Sequence, residues 1–393
     1  MVTLRKRHGF VAFQALAEWN ASYCKRDMAQ IGQVRLASGR APRWGIPLDR
    51  TKDHSMTAIT RRRLGALSAV SALGLALTAC GGSSGSEDSA AGGSSDAGGA
   101  EGGTVEVEDN NGTQTVQVPP ASVVATDNRT FETLSDWGVT LTAAARTLMP
   151  TTIDYKDDES IIDLGNHREP DLEAVVAAEP TLIINGQRFS QYHDDFVKYA
   201  PDAVVLELDP RDDEPFADEL KRQVAVLGEI FEKQSEAEAL GTDLDAAMER
   251  VKSAYDGSST VMAVNTSGGE IGYIAPGVGR ALGWTFEALG LVPALEVEGS
   301  SDDHQGDDIS VEAIADSNPD WILVMDRDAA ISADDPEYKP ANELLESSEA
   351  LAGVTAVAEG NIVYMPADTY TNESIQTYTE FFEEFADALE GKA

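Results

Sequence analysis

The sequence is poor in cysteine and histidine, and both shortages exclude classes of protein. Only two of the 393 residues are cysteines, Cys24 and Cys80, and five are histidines. Two cysteines in unlike contexts make no disulfide framework, and neither is placed to act as an enzyme nucleophile, so the fold must rest on its hydrophobic core. A zinc or manganese cleft would need several histidines, but the predicted folded part holds only His167, His193 and His304.

Positive charge is also scarce, and it is unevenly spread. The chain holds 29 Lys and Arg against 68 Asp and Glu, a net charge of −39. Residues 1–79 contain 13 basic and 4 acidic residues, whereas the rest contains 16 and 64. A surface this acidic argues against nucleic acid and anionic lipid as partners. It also makes any group of arginines in the folded part informative.

The sequence contains none of the common catalytic motifs. It has no Gly-x-Ser-x-Gly elbow, no His-Glu-x-x-His, no P-loop and no Gly-x-Gly-x-x-Gly opening a helix. We therefore expect a binding protein that is not an enzyme and carries no cofactor.

The N-terminal quarter is typical of an exported lipoprotein. Residues 56–79 combine an arginine-rich start with an apolar run too short to span a membrane, the layout of a signal peptide. Residues 77–80 (LTAC) resemble a lipobox, which predicts cleavage before Cys80, lipidation of its thiol and attachment to the outer face of the cell membrane. The export route, Sec or twin-arginine, stays open. Residues 1–55 are predicted to be an over-extended gene start or a leader, and the Gly/Ser-rich 80–103 a flexible tether.

The remaining chain predicts an α/β fold with two similar lobes and an N-terminal β-hairpin. Short apolar strands alternate with helices over 104–212, the predicted N-terminal lobe, and again over 257–393, the predicted C-terminal lobe and terminal helix. Between them, 213–256 has a helical apolar period. Two alternatives fit that segment: one long connecting helix, or two helices with a break near Ser235.

An internal repeat supports the two-lobe prediction. Residues 172–184 (LEAVVAAEPTLII) and 311–323 (VEAIADSNPDWIL) share glutamate and proline in the same register, 139 positions apart. Each copy reads as a helix, a proline turn and a buried strand.

These features resemble the helical-backbone, or class III, periplasmic binding lipoproteins of ABC importers for siderophores, haem and cobalamin. Three segments resemble its ferric catecholate branch, which takes petrobactin- and enterobactin-type chelates: 127–134 (DNRTFETL), 165–173 (GNHREPDLE) and 183–188 (IINGQR). The resemblance covers about 104–390. It implies a monomer that binds an iron(III)-siderophore and delivers it to an ABC permease. Haem, cobalamin, a hydroxamate siderophore and a free metal remain alternatives.

The resemblance implies a ligand site of three arginines, Arg188, Arg280 and Arg327, with His304 and Tyr370 completing the iron shell. Ferric tris-catecholate carries about three negative charges, and planar guanidinium groups suit paired oxygens. Arg188 and Arg327 follow predicted strands, and Arg280 is expected at a helix start, where anions are favoured. For each arginine a surface ion pair is the alternative; for His304 it is a solvated acidic loop.

Further residues have weaker support. Tyr364 or Tyr378 could replace Tyr370 as the site tyrosine. Ligand contacts are also expected from four residues near the motifs: Asn128, Arg129, His167 and Arg168. In the wider family one glutamate on each lobe docks to the permease, and the repeat places Glu173 and Glu312 in those positions; two exposed helix-start glutamates are the alternative.

Overall fold

The computed structural model describes residues 103–165 and 168–391, all of which belong to the unit spanning 92–393. The predictions for 1–55, the 56–79 signal, Cys80, nearly all of the tether and His167 fall outside the described residues. No helix in the described ranges is both long enough and apolar enough to cross a bilayer.

The first element is the predicted hairpin. Strands β1 (Gly103–Asp109) and β2 (Gly112–Val118) pair antiparallel around a tight turn. Gly112 has a φ of +114°, which a side chain would strain. Val107 and Val116 are buried, and the Asn110 amide donates to the Glu207 carbonyl at 2.9 Å, so the hairpin docks on the N-terminal lobe.

The N-terminal lobe is a five-stranded parallel sheet in the order β5-β4-β3-β6-β7. Its strands are nearly continuous apolar runs, as expected for a sheet covered on both faces. The strands are β3 (Val123–Ala125), β4 (Ala143–Ala144), β5 (Ile162–Asp163), β6 (Leu182–Asn185) and β7 (Val204–Glu207). The α-helices are α1 (Phe131–Asp136), α2 (Leu172–Ala177) and α3 (His193–Tyr199), and the 3-10 helices are Arg146–Leu148, Asp154–Lys156 and Gln187–Tyr192.

A segment of two helices follows: α4 (Phe216–Ile230) and α5 (Gln234–Ala254). The alternative of two helices with a break is therefore the observed one, and a continuous rod is not formed. Glu232 has a φ of +57°, which reverses the chain. A Cβ on Gly228 would lie 2.8 Å from the Cβ of Ala237, so the two helices meet closely at the turn. Helix α4 contributes side chains to the cores of both lobes.

The C-terminal lobe is a six-stranded mixed sheet with the path β11-β9-β8-β12-β13, and β10 pairs with β8. Its strands are β8 (Thr260–Ser267), β9 (Glu270–Ile274), β10 (Val292–Pro293), β11 (Asp307–Asp308), β12 (Trp321–Asp326) and β13 (Ile362–Tyr364). Its helices are α6 (Thr285–Leu289), α7 (Val311–Ser317), α8 (Arg327–Ile331), α9 (Ala341–Glu346), α10 (Thr355–Glu359), the 3-10 helix Thr369–Thr371 and the terminal α11 (Ile375–Leu389).

The repeat is visible in the backbone as well as in the sequence. Helices α2 and α7 begin at side-chain caps, Asp171 and Ser310, which are themselves 139 positions apart. Each copy then turns through a non-glycine residue of positive φ, Glu179 at +44° and Asn318 at +46°. Strands β6 and β12 occupy the same place in the two sheet orders. The lobes therefore share one αβ unit.

Candidate functional site

The three predicted arginines meet at one tyrosine ring. The guanidinium carbons of Arg188, Arg280 and Arg327 lie 5.5, 5.1 and 4.8 Å from the ring centroid of Tyr370. These distances are in the range of cation–π contacts. One arginine comes from the N-terminal lobe and two from the C-terminal lobe, so the cluster lies where the lobes meet.

Arg188 and Arg327 are delivered by the equivalent strands β6 and β12, and the same 139 positions separate them. Arg327 opens helix α8, whose cap is the Asp326 side chain accepting from the Ala329 amide at 3.0 Å. Arg188 lies in the 3-10 helix after β6. The backbone just before Arg188 packs tightly on Asp127: a Cβ placed on Gly186 would lie 2.6 Å from the Asp127 carboxylate.

Arg280 is not at a helix start, which corrects the sequence-based expectation. Residues 276–284 form turns, with positive φ at Gly277 and Ala281, and the helix begins only at Thr285. The close packing of Gly279 and Gly283 against backbone atoms of Ala275 explains this path, because neither position has room for a side chain. Arg280 is therefore held by a carboxylate and not by a helix dipole.

Tyr370 is the tyrosine of this cluster, and it is 4% exposed. Burial would raise its pKa, but hydrogen bonding and the positive charges of Arg188 and Arg327 outweigh burial and leave the pKa below the ordinary tyrosine value. Neither competing tyrosine supplies this ring: the Tyr364 hydroxyl donates to Glu346 at 3.1 Å, and Tyr378, which is near the cluster but fully buried, donates to the Ala281 carbonyl at 3.2 Å.

Glu373 is a central residue that the sequence did not reveal. It is 2% exposed and accepts from Arg280 at 2.6 and 2.9 Å, from Arg129 at 3.0 Å and from Gln187 at 3.2 Å. Burial would raise the pKa of Glu373, but Arg280 and Arg129 more than offset burial and hold the pKa below its usual value. In an acid-rich sequence, a glutamate at a predicted helix start has no signal that separates it from its neighbours.

Arg129 ties Glu373 to the N-terminal lobe. It pairs with Asp209 at 3.3 Å as well as with Glu373. Beneath it, burial and then the charge of Asp209 raise the pKa of Asp127 to about 7, although Arg129 acts in the opposite direction. Asp127 accepts from the Gln223 amide at 2.8 Å. The predicted contact residue Arg129 thus has a structural role between the lobes.

The other predicted ligand residues have less defined positions. His304 is half exposed, with Nδ1 3.8 Å from Asp303, and it lies next to Gln305, which reaches Ser267 at 3.2 Å. Ser267 in turn accepts from Arg327 at 3.0 Å, so the His304 loop borders the cluster. Asn128 is buried and its Oδ1 has no hydrogen-bond partner. The Arg168 carbonyl accepts from Tyr192 at 2.8 Å.

Two cavities flank the cluster. The first, about 1010 Å³, is lined in part by Arg129, Gln187 and Trp284. The second, about 870 Å³, is lined in part by Glu132, residues 329–335 and Asn372. Among the residues that the structure describes, Arg188, Arg280, Arg327 and Tyr370 are not in the lining of either cavity, although their chain neighbours Gln187, Ala329 and Asp368 are.

The predicted docking glutamates occupy matching surfaces. Glu173 and Glu312 both lie in the first turn of their helices, α2 and α7, and both are exposed.

Comparison with known proteins supports the same fold. The petrobactin-binding protein YclQ of Bacillus subtilis is 26% identical over 288 residues, 72% of this chain and 86% of the relative. The ferric-anguibactin-binding protein FatB of Vibrio anguillarum is 27% identical over 273 residues, 68% and 81% of the two chains. The crystal structure of YclQ superposes with a TM-score of 0.62 at 23% identity, covering 73% of this chain and 99% of that one.

A second solved structure gives a similar result. The periplasmic catecholate-siderophore binding protein VctP of Vibrio cholerae has a TM-score of 0.61 at 22% identity, covering 74% of this chain and all of that one. Residues 123–369 match the model of the Periplasmic binding protein family, which is well over half of the chain. The two-lobed chain therefore belongs to the Periplasmic binding protein family.

Proposed function

We propose that this protein binds an anionic ferric siderophore of the catecholate type and delivers it to an ABC importer permease. The observation that carries the proposal is the convergence of Arg188, Arg280 and Arg327 on one ring in a strongly acidic chain. Such a chain has no general need for a half-buried cluster of guanidinium groups, whereas a trianionic chelate needs one.

The charge of the cluster suits a chelate of this kind. Glu373 and Asp328 partly neutralise Arg280 and Arg327, which leaves the cluster net positive. Planar guanidinium groups can donate to catecholate oxygens and stack on the aromatic rings. Tyr370, with its lowered pKa, is a hard oxygen donor for iron(III), and His304 at the border is a second candidate ligand.

The relatives favour this ligand class over the alternatives. Those named above bind petrobactin, ferric anguibactin and a catecholate siderophore. Haem, cobalamin and hydroxamate chelates have no comparable support here. The free-metal alternative is also weak, because the described part of the chain contains no group of three or more His, Cys, Asp or Glu side chains placed to hold a metal ion.

We infer the cellular setting from the sequence. Lipidation at Cys80 would hold the protein as a monomer on the outer face of the cell membrane, without a catalytic activity or cofactor. Glu173 and Glu312 would give a two-point dock onto a permease of two similar halves, because they occupy equivalent positions in the two lobes.

A fluorescence titration tests the ligand class. Three tryptophans, Trp137, Trp284 and Trp321, follow the predicted cleavage site, and we expect ferric tris-catecholate to quench their emission at a lower concentration than ferric hydroxamate, haem or cobalamin. A triple Arg188→Gln, Arg280→Gln, Arg327→Gln variant should lose the response. The control Arg250→Gln, whose partners are Glu383, Asp387 and Glu390, should keep it. Tighter binding of haem, or an unaffected triple variant, would contradict the proposal.

A further inference from the structure

The second cavity lies between the lobes and is strongly acidic. Glu132, residues 149–152 and Lys156 line it from the N-terminal lobe, and residues 329–335 and 366–368 from the C-terminal lobe. Five of its lining residues are carboxylates: Glu132, Asp334, Asp335, Asp368 and Glu380. One lining residue, Lys156, is a cation.

These carboxylates have no cationic partner. Within the described residues, none of the five takes part in an ion pair with Lys, Arg or His. Lys156 makes no ion pair with any of them, and its ammonium group instead donates to the carbonyls of Arg146 and Thr147 at 3.1 and 3.0 Å. The first cavity is also acidic, but four cations line it, Arg129, Arg211, Lys221 and Lys252, and three of its seven carboxylates are in ion pairs. The second cavity differs in having five unpaired carboxylates and one cation.

A buried orphan acceptor in the same cavity also calls for a donor. Asn372 is 3% exposed and lines the cavity. Its amide nitrogen donates to Glu132 at 2.9 Å, but its Oδ1 accepts no hydrogen bond. An unsatisfied buried carbonyl oxygen costs free energy until an N–H or O–H group reaches it.

The carboxylates are too dispersed for a metal ion. No group of three metal-ligating side chains occurs in the described part of the chain. Dispersed negative charge with an orphan acceptor suits an organic cation whose several N–H bonds point in different directions.

The cavity begins next to the arginine cluster. Arg327 opens helix α8, and Ala329 to Ile331 of that helix line the cavity. Tyr370 lies in the 3-10 helix Thr369–Thr371, which Asn372 follows directly. A ligand held at the cluster is thus one turn of backbone away from the acidic wall.

We propose that this cavity is a subsite for a protonated alkylamine arm of the bound chelate. The inference rests on the proposed function and deepens it, because it specifies a ligand with an anionic iron centre and a cationic arm. The arginines hold the centre, and the unpaired carboxylates and Asn372 hold the ammonium group.

The test uses two ferric tris-catecholates that differ only in one arm, which ends in a primary amine in one and in its N-acetyl amide in the other. The ratio of their Kd values is measured for the full chain, for an Asp335→Asn, Glu380→Gln variant, and for a matched Asp213→Asn, Glu287→Gln variant of the first cavity. All four carboxylates are exposed, so both variants should fold. We expect the first variant to weaken binding of the amine chelate relative to the amide chelate by about tenfold, the size of one close charge pair. In the control variant the ratio of the two Kd values should change by less than about twofold.

The outcomes separate the subsite from the proposed function. Equal ratios in the two variants would overturn the subsite while chelate binding stands. Failure of both chelates to bind the parent chain would overturn the proposed function and the subsite with it. A free alkyl diamine, titrated without iron, should bind at least a hundredfold more weakly than the amine chelate; comparable affinity would show an independent amine site and contradict an arm subsite.

Discussion

The two lobes share a folding unit but contribute unequally to the site. An arginine follows each of the equivalent strands: Arg188 comes shortly after β6, and Arg327 comes directly after β12. These arginines are 139 positions apart, which is also the spacing of the repeat. The C-terminal lobe adds Arg280, Tyr370 and Glu373. The repeated unit therefore explains one arginine from each side, whereas the ring and the carboxylate that bring the lobes together belong to one lobe alone.

The largest expected effect concerns that asymmetry. We expect Glu373→Gln to lower the free energy of unfolding by about 3–5 kcal/mol, because it leaves Arg280 without its acidic partner and Arg129 with Asp209 alone. Urea unfolding measures it. Glu383→Gln is the control: Glu383 pairs with Arg250 at a half-exposed site, and its loss should cost no more than about 1 kcal/mol. Equal losses in the two variants would show that Glu373 does not hold the lobes.

The second test asks whether the equivalent arginines are equivalent in binding. We expect Arg188→Gln and Arg327→Gln each to weaken ferric tris-catecholate by about 100-fold, because each removes one charge that faces the chelate. Calorimetric titration gives both Kd values. A loss at Arg327 alone would indicate that the N-terminal lobe does not touch the ligand.

A third test compares the buried acids of the two lobes, Asp127 and Glu373, whose pKa values move in opposite directions. The pKa of Asp127 is raised from 3.8 to about 7, so between these pH values the folded state binds more protons than the unfolded state. Stability from this group is full below about pH 4 and is lost as the pH rises towards 7. Asp127→Asn should therefore gain stability relative to the parent chain between pH 4 and 7, by a few kcal/mol at most.

Chemical unfolding at pH 4.5, 5.5 and 7 checks this difference. If the stability difference between Asp127→Asn and the parent chain were the same at all three pH values, Asp127 would not titrate in this range. Glu373→Gln should show the opposite slope in acid, because a carboxylate with a lowered pKa contributes stability that is lost as the pH falls.

The smallest effect tests the repeat itself. Asp171 accepts from the Glu173 and Ala174 amides, both at 3.0 Å, whereas Ser310 accepts from the Ala313 amide at 3.1 Å. We expect Asp171→Ala and Ser310→Ala each to cost about 1 kcal/mol, with the larger loss at Asp171, which makes two bonds and carries charge at a helix start. Thermal unfolding by circular dichroism measures both. If neither substitution lowered the stability, side-chain capping would not be a stabilising feature of the shared αβ unit.

Much of the fold could be predicted from sequence because local patterns determined it. The hairpin follows from Asn110, Asn111 and Gly112 between alternating strands, and the buried parallel strands stand out as apolar runs. The strand at Ala143–Ala144 lies within the largely apolar run 141–145, whereas the two-residue strand Ile162–Asp163 was not predicted, since so short a strand is defined by its neighbours and not by its own sequence.

The site divides in the same way. The family resemblance implied Arg188, Arg280, Arg327 and Tyr370 together, and the recognisable strands before Arg188 and Arg327 gave two of them independent support. The conformation at Arg280 was not predictable, because it depends on how closely Gly279 and Gly283 pack on the backbone of the same loop, at Ala275, and no sequence motif indicates that packing. Glu373 and Asn372 could not be selected either, since burial and pairing across the lobes are tertiary properties.

Anomalous diffraction at the iron edge, from crystals grown with ferric tris-catecholate, tests the central claim most directly. We predict a single iron peak beside the Tyr370 ring, within reach of Arg188, Arg280 and Arg327. An iron peak on the outer surface of either lobe, away from the three arginines, would contradict the account.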